Sequence, residues 1–78
     1  MRPKKTDRGF YRADFEDENG ASCSIQESSA AFHPCIWLGL NEGTHHLGKC
    51  LARMHLTKRL AKQLLPLLAK FVETGKLK

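Results

Sequence analysis

Residues 57–75 read TKRLAKQLLPLLAKFVETG and decide the fold. The large apolar residues of this stretch are Leu60, Leu64, Leu67, Leu68 and Phe71. They recur every three or four positions, as on one face of an amphipathic helix. Thr57 can accept a hydrogen bond from the first turn, and Gly75 can adopt the left-handed conformation that ends a helix. The pattern predicts a helix over residues 58–74, bent at Pro66 because proline has no N–H to donate.

The chain before the helix predicts a β-hairpin whose register follows from side-chain alternation. Two segments, residues 10–17 and 21–28, flank a loop at residues 18–20. A two-residue Asn-Gly turn would mix polar and apolar side chains on both faces of the hairpin. A three-residue loop, with its glycine in the left-handed conformation, places Phe15 opposite Cys23 and leaves one face apolar. We therefore expect the three-residue loop.

Two further strands complete the predicted sheet. Residues 35–40 alternate so that Trp37 points away from the helix, and residues 51–56 alternate in the same way before the helix cap. Residues 41–48 are rich in turn-forming residues and predict an exposed loop. The predicted fold class is α+β, a four-stranded antiparallel sheet (β-β-β-β-α) with one C-terminal amphipathic helix packed on one face.

The charge of the chain is unevenly distributed. The net charge of +5 is the sum of +3 in residues 1–8, −5 in residues 9–48 and +7 in residues 49–78. We expect residues 1–9 to be a flexible basic arm with nothing to bury, and residues 10–78 to be a single compact α+β domain. A chain of 78 residues leaves little room for an enclosed pocket, which favours binding by surface over catalysis.

The cysteines and histidines do not form a recognisable reactive site. No two cysteines have the C-x₂₋₄-C spacing that is typical of structural zinc sites, so we expect no metal and no cofactor. His45 and His46 could act with Cys50 and Glu42 as a catalytic group. Nothing in their spacing holds them within hydrogen-bonding reach, and we expect no catalytic residue and no enzyme.

Three groups of residues are candidates for partner binding. The first is the basic face of the helix, Arg59, Lys62 and Lys70, which either solubilises the protein or meets an anionic partner. The second is Trp37, which we expect to be covered by the arm and the 41–50 loop or, as the alternative, left open as an interface anchor.

The third candidate is the acidic hairpin, represented by Glu16 and Glu18. Exposed carboxylates there could imitate the phosphates of a nucleic acid toward a basic partner.

Five short segments carry a resemblance to a known group of proteins. They are SIQESS at residues 24–29, IWLG at 36–39, RMHLT at 53–57, LLPLL at 64–68 and FVETG at 71–75. On these segments the chain, from about Phe10 to Leu77, resembles a group of small phage- and prophage-encoded proteins. The resemblance implies a mobile-element context and carries over no residue role.

That context suggests a non-enzymatic protein that inhibits a host defence complex by surface occlusion, as anti-CRISPR proteins do. Its partner would be a host protein or nucleoprotein complex in the bacterial cytoplasm. The alternative is a small DNA-binding accessory or regulatory protein that uses the basic helix and the arm. The longest apolar run is far below the ~20 residues that span a membrane, so no membrane partner is expected. The oligomeric state is left open.

The odd number of cysteines predicts free thiols. Cys23, Cys35 and Cys50 cannot all pair within one chain, and no apolar run typical of a signal peptide follows the basic N-terminus. Alkylation of the denatured, unreduced protein should therefore modify all three cysteines, as measured by mass spectrometry. An intramolecular disulfide or a stoichiometric zinc ion would contradict this expectation.

Overall fold

The computed structural model describes residues 1–29, 32–41, 44–46, 49–51 and 53–78, and at 44–46 and 49–51 it describes the backbone only. The elements are β1 (Lys4–Lys5), β2 (Tyr11–Glu16), β3 (Ser22–Glu27), β4 (Ile36–Leu40), β5 (Thr44–His46), β6 (Lys49–Leu51) and α1 (Lys58–Thr74). Strands β1 to β4 form one antiparallel sheet in sequence order, and β5 pairs with β6. The α+β class, a four-stranded antiparallel sheet and one C-terminal helix, is confirmed.

The helix has the bounds and caps that the sequence predicts. The Leu60 N–H donates to Thr57 Oγ1 at 3.1 Å at the first turn. Gly75 has a φ of 76°, and its N–H donates to the Phe71 carbonyl at 2.8 Å. The helix continues through Pro66, and the bend expected there stays a prediction.

The predicted hairpin register is also confirmed. Phe15 lies opposite Cys23 and Glu16 lies opposite Ser22. The Asp17 N–H donates to the Ala21 carbonyl at 3.1 Å and closes a three-residue loop. Gly20, with a φ of 78°, occupies the left-handed position of that loop.

The first nine residues differ from the loose arm that was expected. Lys4 and Lys5 pair with Arg12 and Tyr11 to form the edge strand β1. A turn joins β1 to β2, in which the Thr6 N–H donates to the Phe10 carbonyl at 2.7 Å. Pro3 is buried and Met1 packs against the core. The arm therefore does have surface to bury, which stabilises its pairing with β2.

The prediction that residues 51–56 form a strand of the sheet is wrong. The sheet has four strands because β1, which was not expected, pairs with β2. Residues 49–51 pair instead with residues 44–46, a segment expected to be part of an exposed loop. Arg53 to Leu56 belong to no strand. Strands only two residues apart lose little chain entropy when they pair, which favours this local hairpin over a distant edge of the sheet.

The core lies between one face of the sheet and the helix. Its buried members are Ala13, Ile25, Leu64, Leu67 and Leu77. We call the face that carries Ala13 and Ile25 the inner face. Leu68 and Phe71 of the helix pack against this core and are partly buried. The helix therefore covers the inner face, as its apolar stripe predicts.

Leu64 and its neighbour Leu65 test this packing as a matched pair. Leu64 is 2% exposed and Leu65 is 64% exposed. Leu64→Ala should lower the free energy of unfolding by roughly 2–5 kcal/mol, since it leaves a cavity in the core. Leu65→Ala should change it by less than about 0.5 kcal/mol. Urea denaturation measures both, and equal effects would contradict the assignment of the apolar stripe.

Candidate functional site

The predicted partner-binding residues lie on three separate surfaces. Arg59, Lys62 and Lys70 are exposed on the helix. Glu16, at the end of β2, and Glu18, in the hairpin loop, are exposed as well. Since the helix covers the inner face, its cations and Trp37 are not brought together.

The opposite side of the sheet is its outer face, and Trp37 belongs to it. Alternation along the strands places Arg12 and Asp14 of β2, Gln26 of β3 and Trp37 of β4 there, because Gln26 pairs with both Arg12 and Trp37. The Trp37 side chain is 59% exposed, so the cover that was expected is incomplete. Much of the 41–50 loop that would have supplied the cover lies outside the described residues. The alternative of an open aromatic side chain is the one observed.

Two open depressions flank Trp37. One, of about 360 Å³, separates it from the turn after β1 and is also lined by Arg8 and Phe10. The other, of about 310 Å³, extends along β4 and is lined by Gly39 and Asn41. Both therefore give a ligand access to the sides of the indole ring.

Polar contacts hold the rest of the outer face in place. The Arg12 side chain donates from Nε to Asp14 at 3.0 Å and from Nη1 to Gln26 at 3.2 Å. Ser24 donates to the Asn41 side-chain oxygen at 2.6 Å. These contacts hold the Arg12 guanidinium on the outer face, where Gln26 separates it from Trp37.

Cations border the outer face on the side of β1. Lys4 pairs with Arg12 and thus lies on the same face, and a further depression of about 280 Å³ is lined by Arg2, Lys4 and Arg12. Arg8 lines the depression next to Trp37. The pairing of β1 with β2, which the sequence analysis did not predict, places Lys4 on the outer face, and the turn after β1 places Arg8 in the depression beside Trp37. The sequence does contain a signal for this strand pair. Gly9 is a favoured last residue for a four-residue turn, and in the structure its N–H donates to the Thr6 carbonyl at 2.9 Å.

Asp17 is a buried carboxylate that the sequence analysis overlooked. Its Oδ1 accepts the N–H groups of Asn19 and Ala21, each at 2.9 Å, and its Oδ2 accepts the His55 N–H at 2.9 Å. The Glu18 N–H in turn donates to the His55 carbonyl at 2.9 Å. The hydrogen bond from the His55 backbone is the main cause that lowers the pKa of Asp17, although burial opposes it. Asp17 therefore joins the hairpin loop to the segment before the helix.

Glu27 is a second buried carboxylate with backbone partners. Its Oε1 accepts the Tyr11 N–H at 3.2 Å and its Oε2 accepts the Leu77 N–H at 2.9 Å. It joins the sheet to the segment after the helix. Both carboxylates are held by backbone N–H groups from distant parts of the chain.

Cys23 and Cys35 are the two cysteines whose side chains are described. Cys23 is fully buried and free, and its Sγ lies 3.5 Å from the Ala21 carbonyl oxygen. Burial, and then the nearby charge of Asp17, raise the pKa of the Cys23 thiol, which disfavours the reactive thiolate. Cys35 is free and partly buried. Among the described residues no three cysteine, histidine or acidic side chains cluster as metal ligands would.

The remaining sequence candidates lie outside the described side chains. These are Glu42, His45, His46 and Cys50. The catalytic grouping weighed for them therefore stays untested.

Comparison with known proteins adds no relative. The chain matches no family model, and neither a curated protein nor a solved structure is significantly similar to it. Within the described part of the chain, no helix has the length and apolar character needed to cross a membrane.

Asp17 should make stability depend on acid pH. Its pKa is lowered in the folded state, so its contribution is present above the unfolded value near 4 and is lost as the pH falls through the lower, folded value. Asp17→Asn should reduce the free energy of unfolding at neutral pH by about 2 kcal/mol, because the hydrogen bonds to a charged acceptor weaken. Denaturation between pH 7 and pH 2 would measure both effects.

Glu16→Gln is the matched control for that measurement. Glu16 is exposed one residue away, and its substitution should leave the acid limb of the stability curve unchanged. If Asp17→Asn retained the wild-type loss of stability in acid, another group would be responsible.

Proposed function

We propose that the protein is a non-enzymatic binding protein whose outer face takes single-stranded nucleic acid. The observation that supports this proposal is an exposed tryptophan, Trp37, on an open antiparallel sheet beside fixed and bordering cations. Sheets that bind single strands combine aromatic side chains for the bases with positive charge for the phosphates. This is the DNA-binding alternative of the sequence analysis, with the outer face in place of the helix.

The aromatic part of the proposal rests on access to the Trp37 ring. The neighbour of Trp37 on β3 is Gln26, and its neighbour on the same face of β4 is Gly39. Neither side chain covers an indole ring as another aromatic residue would. Phe10 lines the larger depression beside it and offers a second aromatic surface. A base stacked on Trp37 would contribute ~1–3 kcal/mol without requiring a particular sequence.

The electrostatic part rests on the cations around the larger depression. Arg8 and Arg12 line it together with Asp7 and Glu27, and Lys4 extends the positive side along β1. Of the described residues, Arg12 and Asp14 form the ion pair of the outer face, at 2.9 Å. Lys4 and Arg8 are not neutralised in that way and can therefore meet phosphates.

The acidic hairpin supports a second candidate function. Glu16 and Glu18 are exposed, whereas Asp17 between them is turned inward by its backbone partners. Two exposed carboxylates at one end of the molecule can imitate phosphates, which is how a small inhibitor would occlude a host defence complex. The phage-type context, the cytoplasmic location in a bacterial host and the occlusion of such a complex belong to this second proposal.

The first candidate is tested by titrating the protein with a labelled single-stranded oligothymidylate. Trp37 is the only tryptophan, so stacking should quench the intrinsic fluorescence as the label's anisotropy rises. Trp37→Ala should weaken binding at least tenfold, and the Lys4→Glu, Arg8→Glu double variant should weaken binding and flatten its salt dependence.

The helix provides the control for charge alone. Arg59→Glu with Lys62→Glu changes the net charge by the same amount as Lys4→Glu with Arg8→Glu and leaves the outer face intact. Binding should then fall far less than in the Lys4, Arg8 double variant. Equal losses in both double variants, or no quenching of Trp37 by the oligonucleotide, would reject the outer face as the site.

The second candidate is tested on purified RNA-guided cleavage complexes. Inhibition of cleavage that is lost in the Glu16→Lys, Glu18→Lys double variant and kept in Trp37→Ala would favour the hairpin. Inhibition that depends on Arg59, Lys62 and Lys70 would instead assign the interface to the helix.

A further inference from the structure

The edge of β4 that faces away from β3 has no partner strand in the described part of the chain. In the order β1-β2-β3-β4, β4 pairs with β3 on one side, and no described strand pairs with its other side. Strands β5 and β6 pair with each other. An edge of this kind presents a row of backbone donors and acceptors to another chain.

The backbone groups on that edge can be identified from the hydrogen bonds to β3. The Asn41 N–H donates to the Ser22 carbonyl at 2.9 Å, and the Ser28 N–H donates to the Cys35 carbonyl at 3.0 Å. Hydrogen-bonded pairs alternate along an antiparallel ladder, so Trp37 and Gly39 also bond to β3. The N–H and C=O groups of Ile36, Leu38 and Leu40 therefore point to the free edge.

The two edges of the sheet differ in their protection. Strand β1 is two residues long, both are lysines, and Pro3 precedes it. Strand β4 reads IWLGL, with no charge or proline, and Leu38 is 39% exposed. Charge, proline and short length are the usual devices that prevent edge pairing, and β4 has none of them.

We propose that a second copy of the chain pairs with β4 through its own β4, antiparallel and with the two-fold axis at Leu38. Leu38 then forms a hydrogen-bonded pair with Leu38 of the other copy, and Ile36 forms one with Leu40. Trp37 falls opposite Gly39 as a non-hydrogen-bonded pair, in which side chains approach most closely.

The register is self-complementary in shape. A Cβ added at Gly39 would meet nothing within 4 Å, so the surface above it is open. In the dimer the Trp37 ring of one copy occupies that space on the other, and the symmetry repeats the contact. The strand itself places no like charges opposite one another in the pair. These features select a second copy over an unrelated extended peptide as the occupant.

The dimer should be weak. Two five-residue strands bury less than the ~1,600 Å² of a standard interface, so a dissociation constant in the micromolar range, about 1–100 μM, is expected. Sedimentation velocity should show a monomer at low concentration and a dimer as concentration rises. A monomer throughout that range would overturn the proposal.

The axis at Leu38 permits a charge-exchange test. Leu38→Lys and Leu38→Glu each place like charges opposite one another, so either variant alone should be monomeric. An equimolar mixture should form a heterodimer, because the charges then attract. Leu65→Lys, on the exposed side of the helix, is the matched control and should dimerise like the wild type. Dimerisation of both Leu38 variants alone, or none in their mixture, would overturn the register.

Amide exchange on the wild-type protein gives an independent test if the Leu38 variants do not fold. Exchange at Ile36, Leu38 and Leu40 should slow as concentration rises, because those N–H groups acquire partners in the dimer. Trp37 and Gly39, already bonded to β3, should change little. If the exchange rates of both sets of residues changed equally, or if neither set changed, pairing through this edge would be contradicted.

Discussion

Two buried carboxylates hold the helix against the sheet, one at each of its ends. Asp17 accepts the N–H of His55, two residues before the Thr57 cap, and Glu27 accepts the N–H of Leu77, two residues after Gly75. A buried carboxylate is costly unless hydrogen bonds replace its water, and here backbone donors replace it. The chain on both sides of the helix is therefore attached to the sheet, and Leu77 is brought into the core.

This attachment determines which surfaces remain open. The helix occupies the inner face, so its cations face away from the sheet while Trp37 lies on the opposite side. The two basic regions of the sequence thus do not form one surface. The N-terminal cations join the outer face through β1, and the helix cations stay apart, which is why the proposal moves from the helix to Trp37.

Local signals were sufficient to predict the helix and the central hairpin. The caps at Thr57 and Gly75 and the alternation around Phe15 and Cys23 are short-range features, and each was confirmed. The outward direction of Trp37 followed from the same alternation. Its exposure did not, because exposure depends on which distant segments cover the outer face.

The remaining features depend on contacts between residues far apart in sequence. The Asp17 contact joins residues 38 positions apart and the Glu27 contact joins residues 50 apart, and no periodicity reports either. Alternation in residues 51–56 satisfied the pattern of a strand, but Asp17 and Glu18 bind the backbone of His55 outside any ladder. That attachment is found where a strand over residues 51–56 was expected, and the edge of β4 has no partner among the described strands. The interaction that positions the helix against the inner face therefore leaves the outer face uncovered by the helix, and it adds no partner to the edge of β4 among the described strands.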